Sequence, residues 1–166
     1  YRFGHSQIRP SYRLNFGPTV TPAAPFFAFL FDDAQDPNDP DPIDLRGGKR
    51  APRRFVDWQT FFNFGDGNFR PNKKIDGKLS SVVMLLPGSR GPAPGLPADG
   101  VQSLASRNLM RHVNFGIPSG QAIARRMGVP ALTPVQLDAL TPFGMEKSTP
   151  LWFYILKEAE LMEDGL

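Results

Sequence analysis

Prolines and glycines interrupt this chain so often that no long regular element can form. The 166 residues include 18 prolines and 16 glycines, about a fifth of the chain, against roughly 12% in an average protein. Proline ends or kinks a helix and cannot donate a hydrogen bond to a sheet, and glycine weakens both elements. We therefore expect short helices with long Pro/Gly-rich connections. The fold class is mainly α, because no two strand-like segments are joined by a hairpin turn.

The rest of the composition narrows the classes of function. With 40% apolar and 21% charged residues, the chain is an ordinary globular one, long enough for one domain with a core. The sequence contains no cysteine, which excludes disulfides, zinc–thiolate and iron–sulfur sites and a thiol nucleophile. The net charge is +3, and short clusters such as Lys73–Lys74–Lys78 predict a solvated basic face rather than a nucleic-acid groove. No apolar run reaches the roughly 18 residues of a membrane span.

Three segments before residue 100 have the apolar spacing of regular structure. Residues 1–15 predict a helix that Pro10 stops or kinks. Residues 55–64 predict a helix with Trp58 and the neighbouring phenylalanines on one side. Residues 79–86 are apolar, and their length does not decide between helix and strand. Connections are expected at 16–54, which includes the apolar run 26–31 and the aspartate-rich tract 32–44, and at the loop 87–100.

Two helices are predicted between residues 101 and 128. The first covers 101–111, with apolar residues along one side. The second covers 121–127 and has capping residues at both ends. Ser119 is placed to accept a hydrogen bond from the first turn, and Gly128 is placed to end the helix in a left-handed conformation.

Two threonine–proline pairs mark helix starts closer to the C-terminus. Thr133-Pro134-Val135-Gln136 combines an N-cap, a proline in the first turn and a capping-box glutamine. Thr149-Pro150 repeats the N-cap and the proline before a helix predicted over 151–162. The apolar spacing in that helix predicts a buried stripe of Leu151, Ile155, Ala159 and Met162.

The sequence has two histidines, and the surroundings of His5 are those that a metal-binding imidazole needs. Arg2 precedes His5 by three residues, which places both on one face of a helix. Gly4 removes a side chain beside His5, so a bulky planar group can approach the backbone. A haem requires both features, because its iron takes a ring nitrogen and its propionates take a cation.

A ligating histidine also needs a partner for its second ring nitrogen, which fixes the tautomer and tunes the metal. The helix over 101–111 offers such a partner. Asn108 and Arg111 are three residues apart and share a face, so a neutral amide and a second cation would lie on the same side of a haem as His5. Without His5, the same pair is typical of an ordinary polar helix face.

These segments resemble the signatures of the animal-type haem peroxidases, the peroxidase–cyclooxygenase superfamily. Tyr1-Arg2-Phe3-Gly4-His5-Ser6 resembles the proximal helix of that family. The stretch 106–111, followed by Gly116-Ile117-Pro118, resembles its second signature, and 149–159 is similar to a later helix of bacterial members. The three matches follow the family's order and extend over nearly the whole chain.

The resemblance implies a chemical role for each candidate residue. It makes His5 the axial ligand of a haem iron, Asn108 the acceptor of the His5 ring N–H, and Arg2 and Arg111 the partners of the propionates. The haem would be b-type or covalently modified. The implied fold is an irregular multi-helix haem peroxidase fold, of which residues 1–166 would be the proximal part of one catalytic domain, cut at both ends. The implied reaction is the oxidation of small organic donors or halides by hydrogen peroxide.

The residues that handle peroxide in the family are not among the matched ones. The distal histidine and arginine precede the proximal histidine there, as does a calcium site. The resemblance therefore assigns them to an N-terminal remainder of the same domain, and this chain alone is expected to be inactive. Val113, Asn114 and Phe115 stand where many members have arginine, aspartate and histidine. The tract 36–41 lacks the central glycine and final glutamate of an EF-hand calcium loop.

More than one function is compatible with these motifs. The fatty-acid dioxygenases of the superfamily carry a radical-forming tyrosine three residues before the proximal histidine, where this chain has Arg2. Tyr1 lies one residue earlier, about 100° further round a helix, which favours a peroxidase. A haem-binding or structural helical domain without turnover stays open, as does a helical interaction module. The sequence leaves the reducing substrate and the compartment open. It predicts an exposed apolar face where the remainder of the domain would pack.

Overall fold

The computed structural model of this chain describes residues 2–15, 24–25, 56–84, 86 and 101–162. The described residues are mainly helical, as predicted. Their one ladder is antiparallel and pairs β1 (Ser11–Tyr12) with β2 (Ala24–Pro25). The chain forms two compact units, one of Tyr1–Ile8 with Lys73–Leu166 and one of Arg9–Asn72. Of the described helices, none combines the length and the apolar character needed to cross a lipid bilayer.

The part of the chain that the structure describes contains three α-helices, α1 (Leu104–Asn114), α2 (Gly120–Met127) and α3 (Leu151–Met162). Helix α1 begins and ends later than the predicted range 101–111. At α2 the predicted capping residues at both ends are confirmed. The Ser119 hydroxyl accepts a hydrogen bond from the Ala122 N–H at 3.2 Å, and Gly128 adopts a left-handed conformation with φ of 71°.

The helix predicted for residues 1–15 is shorter and tighter than expected. The structure has a 3-10 helix, Arg2–Gln7, which is named the His5 helix below. It ends before Pro10, which cannot donate the hydrogen bond that a longer helix would need, and the chain then enters β1. In the undecided segment 79–86, residues Ser81–Met84 form another 3-10 helix.

The α-helix predicted over 55–64 is wrong for the residues described there. Only Trp58–Thr60 is helical, as a single 3-10 turn. The side chains of Asp57 and Asn63 accept hydrogen bonds from N–H groups two residues later, and such local bonds compete with a continuing helix. The aromatic side chains are largely exposed: Trp58 62%, Phe62 56% and Phe64 65%. A longer helix here would therefore gain little from burial.

The capping box predicted at 133–136 is present, although no α-helix follows it. The Thr133 N–H donates to Oε1 of Gln136 at 2.8 Å, and the Gln136 N–H donates to the Thr133 hydroxyl at 3.3 Å. After a turn, the chain continues as a 3-10 helix, Asp138–Phe143, that contains Pro142. Pro142 has no N–H to donate within this helix, and Gly144 ends it in a left-handed conformation with φ of 65°.

The buried face of α3 differs from the predicted stripe. The four predicted positions are half-buried (Leu151, Ala159) or exposed (Ile155, Met162). Tyr154 and Leu156 are buried instead. The core cluster around Tyr154 consists of Ala124, Leu132 and Leu137. A Cβ atom at Gly120, the first residue of α2, would lie 1.9 Å from Cγ of Tyr154. The missing side chain at Gly120 thus admits the ring and turns a different face of α3 inward.

Thr149-Pro150 directly precedes α3, as predicted. The described hydrogen bonds of Thr149 join α2 to the start of α3. Its N–H donates to Oε1 of Gln121, and its hydroxyl accepts from Nε2 of Gln121, both at 2.9 Å. The same hydroxyl donates to the carbonyl of Met145 at 2.8 Å. This pairing holds the two helices together next to the Gly120–Tyr154 contact.

Large apolar side chains are exposed at the C-terminal end of α1. Met110, Val113 and Phe115 are 48%, 75% and 72% exposed. The sequence predicts exposed apolar surface where a further part of the domain would pack, and that attribution stays a prediction. The predictions for the apolar run 26–31, the tract 32–44 and the loop 87–100 lie outside the described residues.

Candidate functional site

The His5 helix carries the candidate ligand His5 next to Gly4. His5 is half-buried, and the following residue, Ser6, is fully buried. A 3-10 helix has three residues per turn, so Arg2 and His5 lie one turn apart along the same side of the backbone. The side chain of Arg2, like Tyr1, lies outside the described part of the chain. Among the described residues, apart from its chain neighbours and the backbone of its own helix, a Cβ atom built at Gly4 would have no atom within 4 Å.

Helix α1 brings Asn108 to the ring of His5. The side-chain nitrogen of Asn108 lies 3.1 Å from Nδ1 of His5, and 103 positions separate the two residues in sequence. Asn108 is 2% exposed and is the buried residue of α1. A helix usually buries apolar side chains on its inner face, so the buried amide of Asn108 is an exception to that pattern, and its side chain contacts the ring of His5.

The Asn108 amide can serve either tautomer of the His5 ring. Within the described part of the chain, its Oδ1 atom is buried without a hydrogen-bond partner, and a half-turn about the terminal bond exchanges Oδ1 with Nδ2. In one orientation the NH2 group donates to an unprotonated Nδ1. In the other, Oδ1 accepts from a protonated Nδ1. An imidazole that binds a metal through Nε2 carries its proton on Nδ1, so metal ligation by His5 requires the second orientation.

Arg111 and His112 lie on α1 one turn beyond Asn108. Arg111 is half-buried, and in the described part of the chain its guanidinium forms no hydrogen bond or ion pair. His112 is half-buried, and its Nδ1 atom is buried with no hydrogen-bond partner among the described residues. The predicted pair of a neutral amide and a cation, Asn108 and Arg111, therefore sits on the helix that reaches His5.

His5 is a candidate ligand for a haem iron, which needs one axial histidine from the protein. The contact of its ring with the Asn108 amide fits that requirement. The described residues contain no group of three or more His, Cys, Asp or Glu side chains that could hold a metal ion.

Sequence reasoning missed Lys73, which supports the His5 helix. Its ammonium donates to the carbonyl of Ser6 at 2.6 Å. Lys74 and Lys78 are exposed, as the prediction of a solvated basic face requires, whereas the side chain of Lys73 is 28% exposed and hydrogen-bonds to the backbone. Its acceptors include backbone carbonyls, which have no signature in the sequence. The neighbouring basic residues could not reveal this role.

An apolar cavity of about 310 Å³ lies elsewhere in the same unit. It is lined by aliphatic and aromatic side chains, among them Leu109, Trp152 and Phe153. Neither His5 nor Asn108 lines this cavity, so it is separate from the candidate site.

Comparison of this chain with protein-family models, with curated proteins and with solved structures gives no match.

Proposed function

We propose that this chain binds haem through His5 and forms the proximal side of a haem peroxidase site, at which hydrogen peroxide oxidises small organic donors or halides. The contact between Nδ1 of His5 and the Asn108 amide carries this proposal. The two side chains belong to the two segments whose motifs resemble those of the haem peroxidases. Their meeting across 103 positions is the juxtaposition that the resemblance requires.

The contact supports a metal ligand because it has the features of an outer-shell partner. A ligating imidazole almost always donates its other N–H to a protein acceptor, which fixes the ring's orientation and its tautomer. A buried polar atom without a partner costs roughly 1–3 kcal/mol, and Oδ1 of Asn108 is such an atom in the described orientation. Rotating the amide places this oxygen against a protonated Nδ1, which is the arrangement that ligation through Nε2 demands.

The neutral charge of Asn108 matters to the chemistry. A carboxylate in its place would draw the proton from Nδ1 and give the ring imidazolate character, which stabilises ferric iron. An amide accepts the same hydrogen bond with less effect on ring basicity. His5 would thus remain a neutral imidazole and a moderate donor to the metal.

Arg111, with Arg2, would hold the haem propionates. A propionate is a carboxylate at the edge of the macrocycle, and a guanidinium forms charge-assisted, often bidentate hydrogen bonds with it. The Arg111 guanidinium makes no such bond in the described part of the chain, which leaves its donors for a ligand. Arg2 shares the His5 helix and is assigned the same role through the motif.

When bound, haem would supply the redox chemistry between peroxide and the donor. Cleavage of peroxide also requires a proton acceptor and a cation on the peroxide side. We assign no residue of this chain to that side. His112 lies on the helix that provides Asn108, and therefore belongs with the proximal residues. The work of this chain is to hold the iron, to orient its ligand and to bind the propionates.

The experiment is a haem titration of the full chain, monitored by the Soret absorption band. We expect the parent to bind haem and His5→Ala to bind it at least about tenfold more weakly, the change that a loss of 1.4 kcal/mol produces. His112→Ala is the matched control, because it removes the second of the two histidines, and it should retain the parent's affinity. A parent without a haem-dependent Soret band, or equal affinity in His5→Ala, would refute the proposal.

A further inference from the structure

The ammonium of Lys73 has three hydrogen-bond acceptors in the first compact unit. It lies 2.6 Å from the carbonyl oxygen of Ser6, 2.9 Å from the carbonyl oxygen of Lys78 and 3.1 Å from Oδ1 of Asp76. An ammonium carries three N–H donors, so each can be directed at one of these oxygens. Asp76 also accepts from the Lys78 N–H at 2.9 Å, so two of the residues that bind the ammonium are hydrogen-bonded to each other.

One of these acceptors belongs to the residue directly after His5. Ser6 is fully buried, so its carbonyl has little access to water. A second hydrogen bond runs in the opposite direction, from Nε2 of Gln7 to the carbonyl of Lys73 at 3.4 Å. The end of the His5 helix is thus tied at two successive residues to a segment that lies 66 and 67 positions away.

The His5 helix needs such support because of its length and type. A 3-10 helix has weaker hydrogen-bond geometry than an α-helix, and the carbonyls of its last turn have no partner within the helix. A cation at the C-terminal end satisfies these carbonyls and interacts favourably with the helix dipole. The partly exposed ion pair with Asp76 adds little by itself, so the contact with Ser6 is the informative one.

We propose that Lys73 is a positioning residue for His5, holding the backbone after His5 so that the ring keeps its place against Asn108. This inference rests on the proposed function only for the metal that the His5 ring would bind. The positioning itself is a property of the chain without haem. In the described part of the chain, Asn108 contacts Nδ1 of His5 and Lys73 binds the carbonyl of the next residue.

The test uses the absence of cysteine from the sequence. In Lys73→Cys, the new thiol is unique and reacts with 2-bromoethylamine, which restores an ammonium on a side chain of nearly the length of lysine. The readout is the ¹⁵N spectrum of the histidine rings in the haem-free full chain. It contains two rings, of which His112 is the internal reference.

We expect Lys73→Cys to shift and broaden the ring signals of His5 while those of His112 stay in place, and aminoethylation to restore the parent's signals. Lys147→Cys, at an exposed lysine, should leave both rings unchanged before and after alkylation. Unchanged His5 signals in folded Lys73→Cys, or no recovery on aminoethylation, would overturn the proposal. If unmodified Lys73→Cys does not fold, it can be alkylated in denaturant and then refolded. Treatment with 2-bromoethylamine gives a charged side chain, and iodoacetamide gives a neutral one. Equal His5 signals in these two forms would overturn the proposal.

The outcomes separate this inference from the proposed function. If the ring signals of His5 shift in Lys73→Cys and the parent binds no haem, Lys73 remains a positioning residue and the haem site is refuted. Unchanged ring signals, together with haem binding that depends on His5, would refute the role of Lys73 alone.

Discussion

Replacing Gly120 with alanine is expected to lower the free energy of unfolding by about 3 kcal/mol, at the upper end of the range for overpacked cores. The new methyl carbon would lie 1.9 Å from Cγ of Tyr154, far inside van der Waals contact. Neither side can easily move. Tyr154 is 3% exposed, and its hydroxyl accepts from the Leu132 N–H at 2.8 Å. The Gly120 N–H donates to the carbonyl of Thr149 at 3.0 Å.

Gly77→Ala is the matched control for that substitution. A Cβ atom at Gly77 would meet Cε2 of Phe153 at 3.4 Å, an ordinary contact, so we expect a change of no more than about 1 kcal/mol in either direction. Urea denaturation of both variants, followed by far-UV circular dichroism, provides the measurement. Equal midpoints for Gly120→Ala and the parent would contradict the packing described for α2 and α3.

Replacing Asn108 with aspartate is expected to lower the reduction potential of the haem-loaded chain by more than about 59 mV, which is a tenfold change in a one-electron equilibrium. The carboxylate would accept from Nδ1 of His5 more strongly than the amide does, so the ring would become a stronger donor and stabilise ferric iron. Asn108→Ala removes the acceptor and should raise the potential. Spectroelectrochemical titration measures both changes.

Asn114→Asp controls for the added charge. Asn114 lies on the same helix and is exposed, so its substitution should leave the potential close to that of the parent. If Asn108→Asp and Asn114→Asp shift the potential equally, the effect is one of net charge, and Asn108 has no special contact with the ligand.

The capping residues of the helices were predictable because their hydrogen bonds join residues only a few positions apart. Ser119 and Gly128 bound α2 as expected, and Thr133 and Gln136 form the expected capping box. The pairing of His5 with Asn108 was expected because a ligating histidine needs a partner and because both motifs resemble those of one family. Helix spacing by itself does not reveal which distant segment an amide will reach.

The failures arise where tertiary packing overrides local pattern. The buried face of α3 is set by Gly120 on another helix, whose missing side chain admits Tyr154. The segment 55–64 has the spacing of a helix, but its polar side chains bind the backbone locally. Lys73 was hidden because two of its three acceptors are backbone carbonyls, which every residue carries.

The most direct test of the central claim is resonance Raman spectroscopy of the ferrous, haem-loaded chain, prepared with natural-abundance and with ¹⁵N-labelled histidine. If His5 is the axial ligand, an iron–imidazole stretching band appears, moves to lower frequency with the heavier isotope, and persists in His112→Ala but is lost in His5→Ala. A spectrum without an isotope-sensitive band, or a band that survives the loss of His5, would contradict the account.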